Sequence, residues 1–216
     1  MSFSSRRLRR GPLVWAALGC ALAVMSGSAG AAPAPTPSLP VEPLPNPLPE
    51  DTDSDLTQVE GRAGSAAGTP LLLAGRVLDA AGREVADARV EIWQADARGR
   101  RAGEAPDGDF QGYGRTETGG EGRFAFRTVR PGAGKGRAAH INVRISAPGF
   151  GSTTTRVYFA EGPGNAGDPF LAGIRDPAVR SRLIVPLVPV TGTGAAPGAV
   201  KADLEIVLGF NRSAPA

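Results

Sequence analysis

Residues 137–146 read Arg-Ala-Ala-His-Ile-Asn-Val-Arg-Ile-Ser, and this stretch gives the clearest indication of the fold. After His140, the apolar residues Ile141, Val143 and Ile145 alternate with polar ones, which is the pattern of a half-buried strand with one face in a core. His140 is the only histidine of the chain. A strand holds a side chain more precisely than a loop does, which suits a site residue, although a lone histidine at a strand entry also serves as an ordinary structural residue.

The first 31 residues have the three-part organisation of an export signal. Four arginines precede an uncharged apolar run from Pro12 to Met25, and the small residues Ala29-Gly30-Ala31 follow it. This order predicts a signal peptide over 1–31 that is removed on export. The apolar run is shorter than the ~20 residues that a membrane-spanning helix needs.

Two details of this segment bear on the export route. Ser5-Arg6-Arg7 resembles a twin-arginine signal, which implies export in the folded state. Cys20, which follows Ala17-Leu18-Gly19, is the alternative attachment point of a lipoprotein. The sequence therefore predicts a periplasmic or secreted protein, with a membrane contact only if Cys20 is lipidated.

The charge balance gives no reason to expect a nucleic acid as partner. The whole chain has a net charge of +3, and residues 1–31 contain four of its 24 basic residues and none of its 21 acidic ones. Without that segment 20 basic residues face 21 acidic ones, so the net charge is −1. Because Cys20 is the one cysteine, the exported chain would have neither a disulfide nor a thiolate nucleophile.

Residues 32–70 have the composition of a linker. Eight prolines fall between Pro33 and Pro49, and the residues from 51 to 68 are mostly small or polar. Such a stretch is extended and semi-rigid, and it buries no core. We therefore expect a spacer that can be removed without loss of stability, then a domain over 71–211 and a short tail over 212–216.

From Leu71 onward, short strand-like runs are separated by Gly- and Pro-rich turns. Helical periodicity is almost absent, apart from a short helix expected within 168–181. Seven such runs predict an all-β domain, a two-sheet β-sandwich. The predicted strands cover residues 71–78, 88–94, 122–129, 140–147, 152–159, 182–190 and 200–210.

Five motifs follow one another in this domain: Val90-Glu91-Ile92-Trp93-Gln94-Ala95-Asp96-Ala97, Phe110-Gln111-Gly112-Tyr113-Gly114-Arg115, Gly122-Arg123-Phe124-Ala125-Phe126, Arg137-Ala138-Ala139-His140-Ile141 and Thr154-Thr155-Arg156-Val157-Tyr158-Phe159. In this order they resemble the intradiol ring-cleavage dioxygenases, most of all the protocatechuate 3,4-dioxygenase type. The similarity continues through residues 165–169 and 182–186. It therefore covers nearly the whole predicted domain.

The resemblance implies a β-sandwich that holds a non-haem ferric ion. In that family two tyrosinates and two histidines bind the iron. The enzyme cleaves a catechol ring between its two hydroxylated carbons with O₂, a step of aromatic compound catabolism. Hard, anionic phenolate oxygens suit Fe(III) as ligands. If the family chemistry is retained, the cofactor is therefore Fe(III).

Only one of the four iron ligands of the family has a match in this chain. His140 matches the first histidine, and Asn142 stands where the second would be. Arg101 occupies the position of the first tyrosine, and Gly134 that of the second. With one histidine and no cysteine, a site with two histidines cannot form within one exported subunit. We therefore expect no cofactor and a pseudoenzyme.

The other matched positions predict a positive pocket. Arg137 matches the family arginine that precedes the histidine motif, a catalytic residue if the chain is active, and Arg156 replaces a glutamine near the pocket. Three guanidiniums at the former iron position favour a small organic anion, because arginine pairs well with carboxylates. The alternative is that these arginines turn to solvent or pair with Glu91, Asp96 or Glu117. Around His140, the predicted ligand pocket comprises Arg101, Gly134, Asn142, Arg156 and Tyr113.

Three functions are open at this point. The residues favour a non-catalytic protein that binds a small aromatic or carboxylate molecule. An active dioxygenase would need unorthodox iron ligands or a homologous partner subunit, since some members of the family work as paired chains of which one has a degraded site. A structural or interaction module at the cell surface is the third interpretation, because a fold alone does not determine a function.

Overall fold

The structure, a computed structural model, describes residues 32–101, 104, 107–134 and 136–209. Two β-sheets make up most of it, with two short helices and one 3₁₀ turn at Asn165–Gly167. The strands and helices are β1 Pro70–Asp79, β2 Arg89–Gln94, β3 Tyr113–Glu117, β4 Arg123–Val129, β5 His140–Ala147, β6 Gly151–Phe159, α1 Pro169–Ala172, α2 Pro177–Ser181, β7 Ile184–Val185, β8 Val188–Pro189 and β9 Val200–Leu208.

Both sheets are mixed. One has four strands in the order β4-β1-β9-β8, and the other has five in the order β3-β2-β5-β6-β7. Most neighbours are antiparallel, but β1 runs parallel to β9, from Leu71 opposite Val200 to Asp79 opposite Leu208, and β6 runs parallel to β7. The predicted all-β sandwich is confirmed.

The core lies between the two sheets and follows from the alternation in the strands. In β5, Ile141, Val143 and Ile145 are fully buried. They belong to one apolar cluster with Leu73 of β1 and Phe126 of β4. Burial of one such side chain contributes ~1.5–3 kcal/mol. The register is fixed in this way, because a slip of one residue would turn these side chains to the opposite face.

The other face of the five-stranded sheet is polar and nevertheless covered. His140 is 5% exposed, Asn142 1% and Arg156 2%. The alternation predicts a half-buried β5, whereas in the structure the side chains at its start are buried on both faces. The cover comes from a segment that precedes the first strand.

This cover is the N-terminal strap, residues 32–50. The backbone N–H of Leu39 donates to the carbonyl oxygen of Thr154 at 2.8 Å, and the Thr154 hydroxyl donates back to the carbonyl of Leu39 at 2.8 Å. The indole Nε1 of Trp93 donates to the carbonyl oxygen of Glu42 at 3.0 Å. The strap is therefore tied to β6 and to β2 of the polar face.

The strap and the residues after it differ from the expected spacer over 32–70. The chain from Ala32 onward belongs to the same compact unit as the strands. Leu56 is fully buried in the core cluster, and its N–H donates to the carbonyl oxygen of Arg127 at 2.8 Å. Prolines keep a chain extended, but an extended chain can still lie along a sheet and place single apolar residues in its core. Removal of this segment should therefore lower the stability of the domain, in contrast to the expected spacer.

Two strand assignments differ from the sequence prediction. Strand β3 is absent from the predicted set, because glycines 112 and 114 interrupt its pattern. The run predicted over 182–190 is split at Pro186 into β7 and β8, which join different sheets. Proline cannot donate a ladder hydrogen bond, so it favours such a break. The short helix expected within 168–181 is present as α1 and α2.

The predicted signal peptide over 1–31, with Cys20, and the predicted tail over 212–216 lie outside the described residues. In the part of the chain that the structure describes, no helix is both long enough and apolar enough to cross a membrane. The predicted domain boundaries and the export route stay predictions.

Candidate functional site

Strand register brings the polar side chains of three strands together on the covered face. Asn142 of β5 lies opposite Trp93 of β2 on one side and opposite Arg156 of β6 on the other. His140, two residues before Asn142 on the same face, lies opposite Tyr158. Opposite residues of neighbouring strands share a face and touch. The sequence order of these strands therefore builds one polar patch.

The carboxylate of Glu42, carried by the strap, lies at the centre of this patch. Its Oε1 accepts hydrogen bonds from Nη1 of Arg137 at 2.7 Å and from Nη2 of Arg101 at 3.3 Å. Its Oε2 lies 3.7 Å from Nε of Arg156. Nε2 of His140 is 3.1 and 3.2 Å from the two oxygens. We refer to the three arginines as the arginine cluster.

A second carboxylate, that of Asp168, holds Arg137 in place. Nε of Arg137 donates to Oδ2 of Asp168 at 2.8 Å, and Asp168 is fully buried. The other oxygen accepts from the N–H groups of Phe170 at 3.0 Å and Leu171 at 3.1 Å, which makes Asp168 the N-cap of α1. It also accepts from the Tyr158 hydroxyl at 3.2 Å. With both oxygens in use, Asp168 fixes the orientation of the guanidinium.

Arg156 is the most deeply buried member of the arginine cluster. Its side chain is 2% exposed, and its Nε donates to Oδ1 of Asn142 at 3.3 Å. Its guanidinium carbon lies 4.1 Å from the centre of the Phe170 ring, which Arg137 also contacts at 4.2 Å. Among the described residues, Nη1 of Arg156 is buried without a hydrogen-bond partner. A buried N–H without an acceptor costs free energy, so this donor is open to a further acceptor.

The imidazole of His140 is held at both nitrogens. Nδ1 lies 2.7 Å from the carbonyl oxygen of Ala138. Because a carbonyl oxygen and an ionised carboxylate both only accept, Nδ1 is placed to donate to Ala138 and Nε2 to donate to Glu42. The ring also packs against Tyr158, with ring centres 5.6 Å apart. His140 therefore has a fixed orientation toward Glu42.

The positive groups keep both carboxylates ionised. Burial by itself raises the pKa of Glu42, but the hydrogen bond to His140 and the positive charges nearby outweigh burial, and the pKa lies far below its usual range. Burial likewise raises the pKa of Asp168, and hydrogen bonds from Arg137 and from backbone N–H groups outweigh it, so that this pKa is also lowered. Three guanidiniums thus face two carboxylates, which leaves one positive charge in excess before the imidazole is counted.

A cavity of about 650 Å³ adjoins Glu42 beneath the strap. Trp93, Phe110 and the strap residues Pro43–Pro49 form much of its wall, and Arg101 and Glu42 are among its charged groups. Small-molecule sites are typically ~300–1,000 Å³, mostly apolar, and carry a few polar groups that orient the ligand. The cavity has this size and this character.

Most of the predicted pocket residues lie together. Gly134 lies beside the arginine cluster, since a Cβ added there would be 4.0 Å from Nη2 of Arg101. Tyr113 lies on the same face of the sheet, but its hydroxyl donates to Oε1 of Glu91 at 2.7 Å and not to the site around Glu42. The predicted residues around or beside the Glu42 carboxylate are Arg101, Arg137, His140, Asn142 and Arg156.

The partners of the arginine cluster differ from those that the sequence suggests. The cluster pairs with Glu42 and Asp168. The three carboxylates that the sequence suggests as partners bind other arginines, because those arginines lie on a neighbouring strand or in the same loop. Glu91 pairs with Arg144 at 2.6 Å, Asp96 with Arg100 at 3.3 Å and Glu117 with Arg89 at 3.9 Å.

Comparison with known proteins gives the family. The family model Dioxygenase_C, described as Dioxygenase, matches residues 45–206 of the chain. The chain belongs to the intradiol dioxygenase family. The beta chain of protocatechuate 3,4-dioxygenase from Burkholderia cepacia is 38% identical over 146 residues, which are 61% of this chain and 62% of that protein. 6-Chlorohydroxyquinol 1,2-dioxygenase from Cupriavidus pinatubonensis is 32% identical over 165 residues, which are 68% of this chain and 56% of that protein. This intradiol dioxygenase homologue thus spans less than two thirds of either relative.

Solved structures of intradiol dioxygenases have the same fold. The dioxygenase domain of a dioxygenase and carbohydrate-binding protein fusion from Streptomyces sp. SirexAA-E is 28% identical, with a TM-score of 0.61 over 82% of this chain and 100% of that domain. 3-Chlorocatechol 1,2-dioxygenase from Rhodococcus opacus 1CP is 21% identical, with a TM-score of 0.63 over 85% of this chain and 75% of that one. The second likeness concerns the fold alone.

The residues at this site do not suit the ferric ion of the intradiol dioxygenases. Within the described part of the chain, no three His, Cys, Asp or Glu side chains lie close enough together to hold a metal ion. His140 and Glu42, the potential ligands at the centre of the site, both already face other protein groups. The surrounding guanidiniums would repel a cation in this poorly solvated place. An internal ion-pair cluster therefore stands where the resemblance implies a metal.

Glu42 and Asp168 are the two site residues that the sequence prediction misses. Glu42 is 98 positions away from His140 in a proline-rich segment, and nothing in that segment's pattern connects the two. Asp168 precedes a proline at the first position of α1, which is a recognised start signal of a helix. That signal could have identified the cap, but not the ion pair with Arg137.

Proposed function

We propose that this member of the intradiol dioxygenase family is an exported, non-catalytic protein that binds a small organic anion of the aromatic carboxylate class. One observation carries the proposal: the arginine cluster is arranged around a carboxylate, that of Glu42. Arginine offers a planar fork of donors that matches carboxylate geometry. A site that already orders three guanidiniums around one carboxylate has the chemistry to recognise another.

Two further features support an aromatic carboxylate. The cavity beside Glu42 has room for a benzoate-sized molecule, and Trp93 and Phe110 offer it apolar contacts. The excess positive charge and the unpaired Nη1 of Arg156 favour one more anionic acceptor. The donor set is unsuited to ferric iron, so the ring-cleavage chemistry of the relatives is not part of the proposal.

Calorimetric titration with sodium benzoate tests this function, with benzamide as the neutral probe of similar shape. We expect benzoate to bind and benzamide not to bind. Arg137→Ala and Arg156→Ala should each weaken benzoate binding at least tenfold. Arg123→Ala is the matched control, because Arg123 is an exposed arginine that pairs with Glu121 on the surface. Equal binding in all four proteins, or none in the wild type, would contradict the proposal.

The export part of the proposal has its own measurement. Mass spectrometry of the protein from its native source should show a chain that begins near Ala32. A chain that begins at a lipid-modified Cys20 would indicate a lipoprotein instead. An intact Met1 would contradict export.

A second candidate function is that of a non-catalytic subunit paired with a catalytic homologue. The names of the relatives favour it, because they include a beta chain of protocatechuate 3,4-dioxygenase, 38% identical, and an alpha chain of that enzyme from Pseudomonas putida, 37% identical. Light scattering on the protein purified from its native source, followed by identification of each chain, decides the matter. A single type of chain in the native particle would contradict this second candidate.

A further inference from the structure

We propose that Glu42 is an internal ligand of the arginine cluster, and that a carboxylate from solution enters the site by displacing Glu42 and the part of the strap that follows it. The inference rests on the proposed function and describes how the same site is opened. The proline-rich strap then has a role in binding, because its Glu42 carboxylate competes with the carboxylate from solution for the arginine cluster.

Glu42 occupies the position of a bound ligand. Its carboxylate takes the donors that a bound carboxylate would take, including Nη1 of Arg137 at 2.7 Å and Nη2 of Arg101 at 3.3 Å. Its side chain is 16% exposed and lines the cavity together with Arg101. Arg137 and Arg156 do not line the cavity, so a ligand there would meet Glu42 before it meets these two arginines.

The strap is attached to the sandwich on either side of the cavity. At one end Leu39 exchanges two hydrogen bonds with Thr154, and beyond the other end Leu56 is buried in the core. Between these points, no described backbone hydrogen bond joins residues 43–50 to the sandwich. Every second residue from 43 to 49 is a proline, which has no N–H to donate. Among the described residues, Glu42 therefore makes the hydrogen bonds and ion pairs that join residues 40–50 to the sandwich.

Glu42 satisfies the hydrogen-bond donors of the arginine cluster incompletely. Nε of Arg156 is 3.7 Å from Oε2 of Glu42, which is longer than a hydrogen bond. Nη1 of Arg156 has no partner among the described residues. A carboxylate free of the strap can approach both groups. Glu42, in turn, has the advantage of its tether, because a linked group competes at an effective concentration of ~1 mM or more.

Removal of the internal carboxylate tests the proposal in the full-length chain. Glu42→Ala vacates the position, and sodium acetate and acetamide serve as charged and neutral probes. We expect acetate, and not acetamide or sodium chloride, to raise the melting temperature of Glu42→Ala in a concentration-dependent way, because a ligand of the folded state stabilises it. The wild type should respond much less, since its own carboxylate occupies the site.

Glu121→Ala is the matched control, because Glu121 is an exposed carboxylate that pairs with Arg123 on the surface and does not line the cavity. It should respond to acetate as the wild type does. Equal acetate shifts in the wild type, Glu42→Ala and Glu121→Ala would overturn the proposal. If Glu42→Ala does not fold, Glu42→Gln removes the charge and keeps the shape, and the same comparison applies to its benzoate affinity.

Trp93 reports the strap directly, because its indole donates to the carbonyl of Glu42 at 3.0 Å. In a Trp15→Phe background Trp93 is the only tryptophan. Benzoate should change its fluorescence, and the dissociation constant should be at least tenfold lower in Glu42→Ala than in the protein with Glu42. Equal constants would overturn the internal-ligand proposal and leave the proposed function standing. If acetate raises the melting temperature of Glu42→Ala but neither protein binds benzoate, the internal-ligand proposal stands and the proposed function is contradicted.

Discussion

Asp168→Asn separates the role of Asp168 in the ion-pair cluster from its role as a helix cap. The change replaces one carboxylate oxygen by an amide NH₂ and removes the charge. Oδ2 of Asp168 accepts from Nε of Arg137 at 2.8 Å and from the N–H of Ala138 at 3.0 Å, so an amide nitrogen there would face two donors. The Arg137 guanidinium, with 13% of its side chain exposed, would lose one of its two carboxylates.

The expected loss of unfolding free energy follows from the burial of the Arg137–Asp168 ion pair. Removal of one partner of a buried ion pair costs ~3–5 kcal/mol, because the other charge is left uncompensated. Arg137 keeps Glu42 at 2.7 Å, which places the expectation at the lower end of that range. The cap itself loses little, since asparagine caps helices about as well as aspartate. At ~2–4 °C per kcal/mol for a protein of this size, the melting temperature should fall by ~6–12 °C.

Asp176→Asn is the matched control for this experiment. Asp176 also precedes a proline and caps a short helix, α2, where it accepts from the N–H of Ala178 at 2.8 Å, but it is exposed and has no arginine partner among the described residues. Thermal unfolding of both variants and the wild type should be followed by circular dichroism at pH 7. Similar losses in the two variants would show that the caps, and not the ion pair with Arg137, account for the cost.

Three further outcomes are expected. Leu56→Ala should lower the free energy of unfolding by ~2–5 kcal/mol in a chemical unfolding titration, and Leu48→Ala, at an exposed position of the strap, should lower it far less. Equal losses of unfolding free energy would mean that residue 56 does not lie in the core. The melting temperature should fall as the pH is lowered from about 5 to 2, because Glu42 and Asp168 have lowered pKa values and contribute stability only while ionised; an unchanged melting temperature over that range would contradict the ion-pair assignment. Purified protein should contain less than stoichiometric iron and cleave neither catechol, protocatechuate nor hydroxyquinol; one iron per chain, or cleavage product that disappears in His140→Ala, would refute this.

The sandwich could be predicted from the sequence because its strands carry a strong local signal. The alternation of Ile141, Val143 and Ile145 reflects the pleat directly, and so does that of Phe124 and Phe126 in β4. Strand β3 lacks this signal, since it is short and interrupted by glycine, and its place is determined by pairing with β2. Local patterns predict the strands that alternate clearly, whereas strands with a weak pattern are determined by pairing with strands distant in the sequence.

The site was predictable only in part, for the same reason. The positions of His140, Asn142 and Arg156 follow from strand register and from the family resemblance. The contact with Glu42 does not, because proline-rich composition describes the stiffness of a chain and not the surface on which it lies. Tyr113 shows the converse case: strand register places it on the same face of the sheet as the site, but its hydroxyl donates to Glu91 and it does not line the cavity beside Glu42.

The sign of the charges around His140 explains why the strap lies over this face. Where the family has anionic ligands around a cation, this chain has guanidiniums around the Glu42 carboxylate. A guanidinium as buried as that of Arg156 needs an anion nearby, and the sheet itself offers none that is not already bound to another arginine. For stability alone, apolar side chains of similar volume would serve as well or better than a buried ion-pair cluster. The proposed exchange of anions would require one tethered carboxylate, several donors and an adjoining cavity, whereas packing alone would not require them.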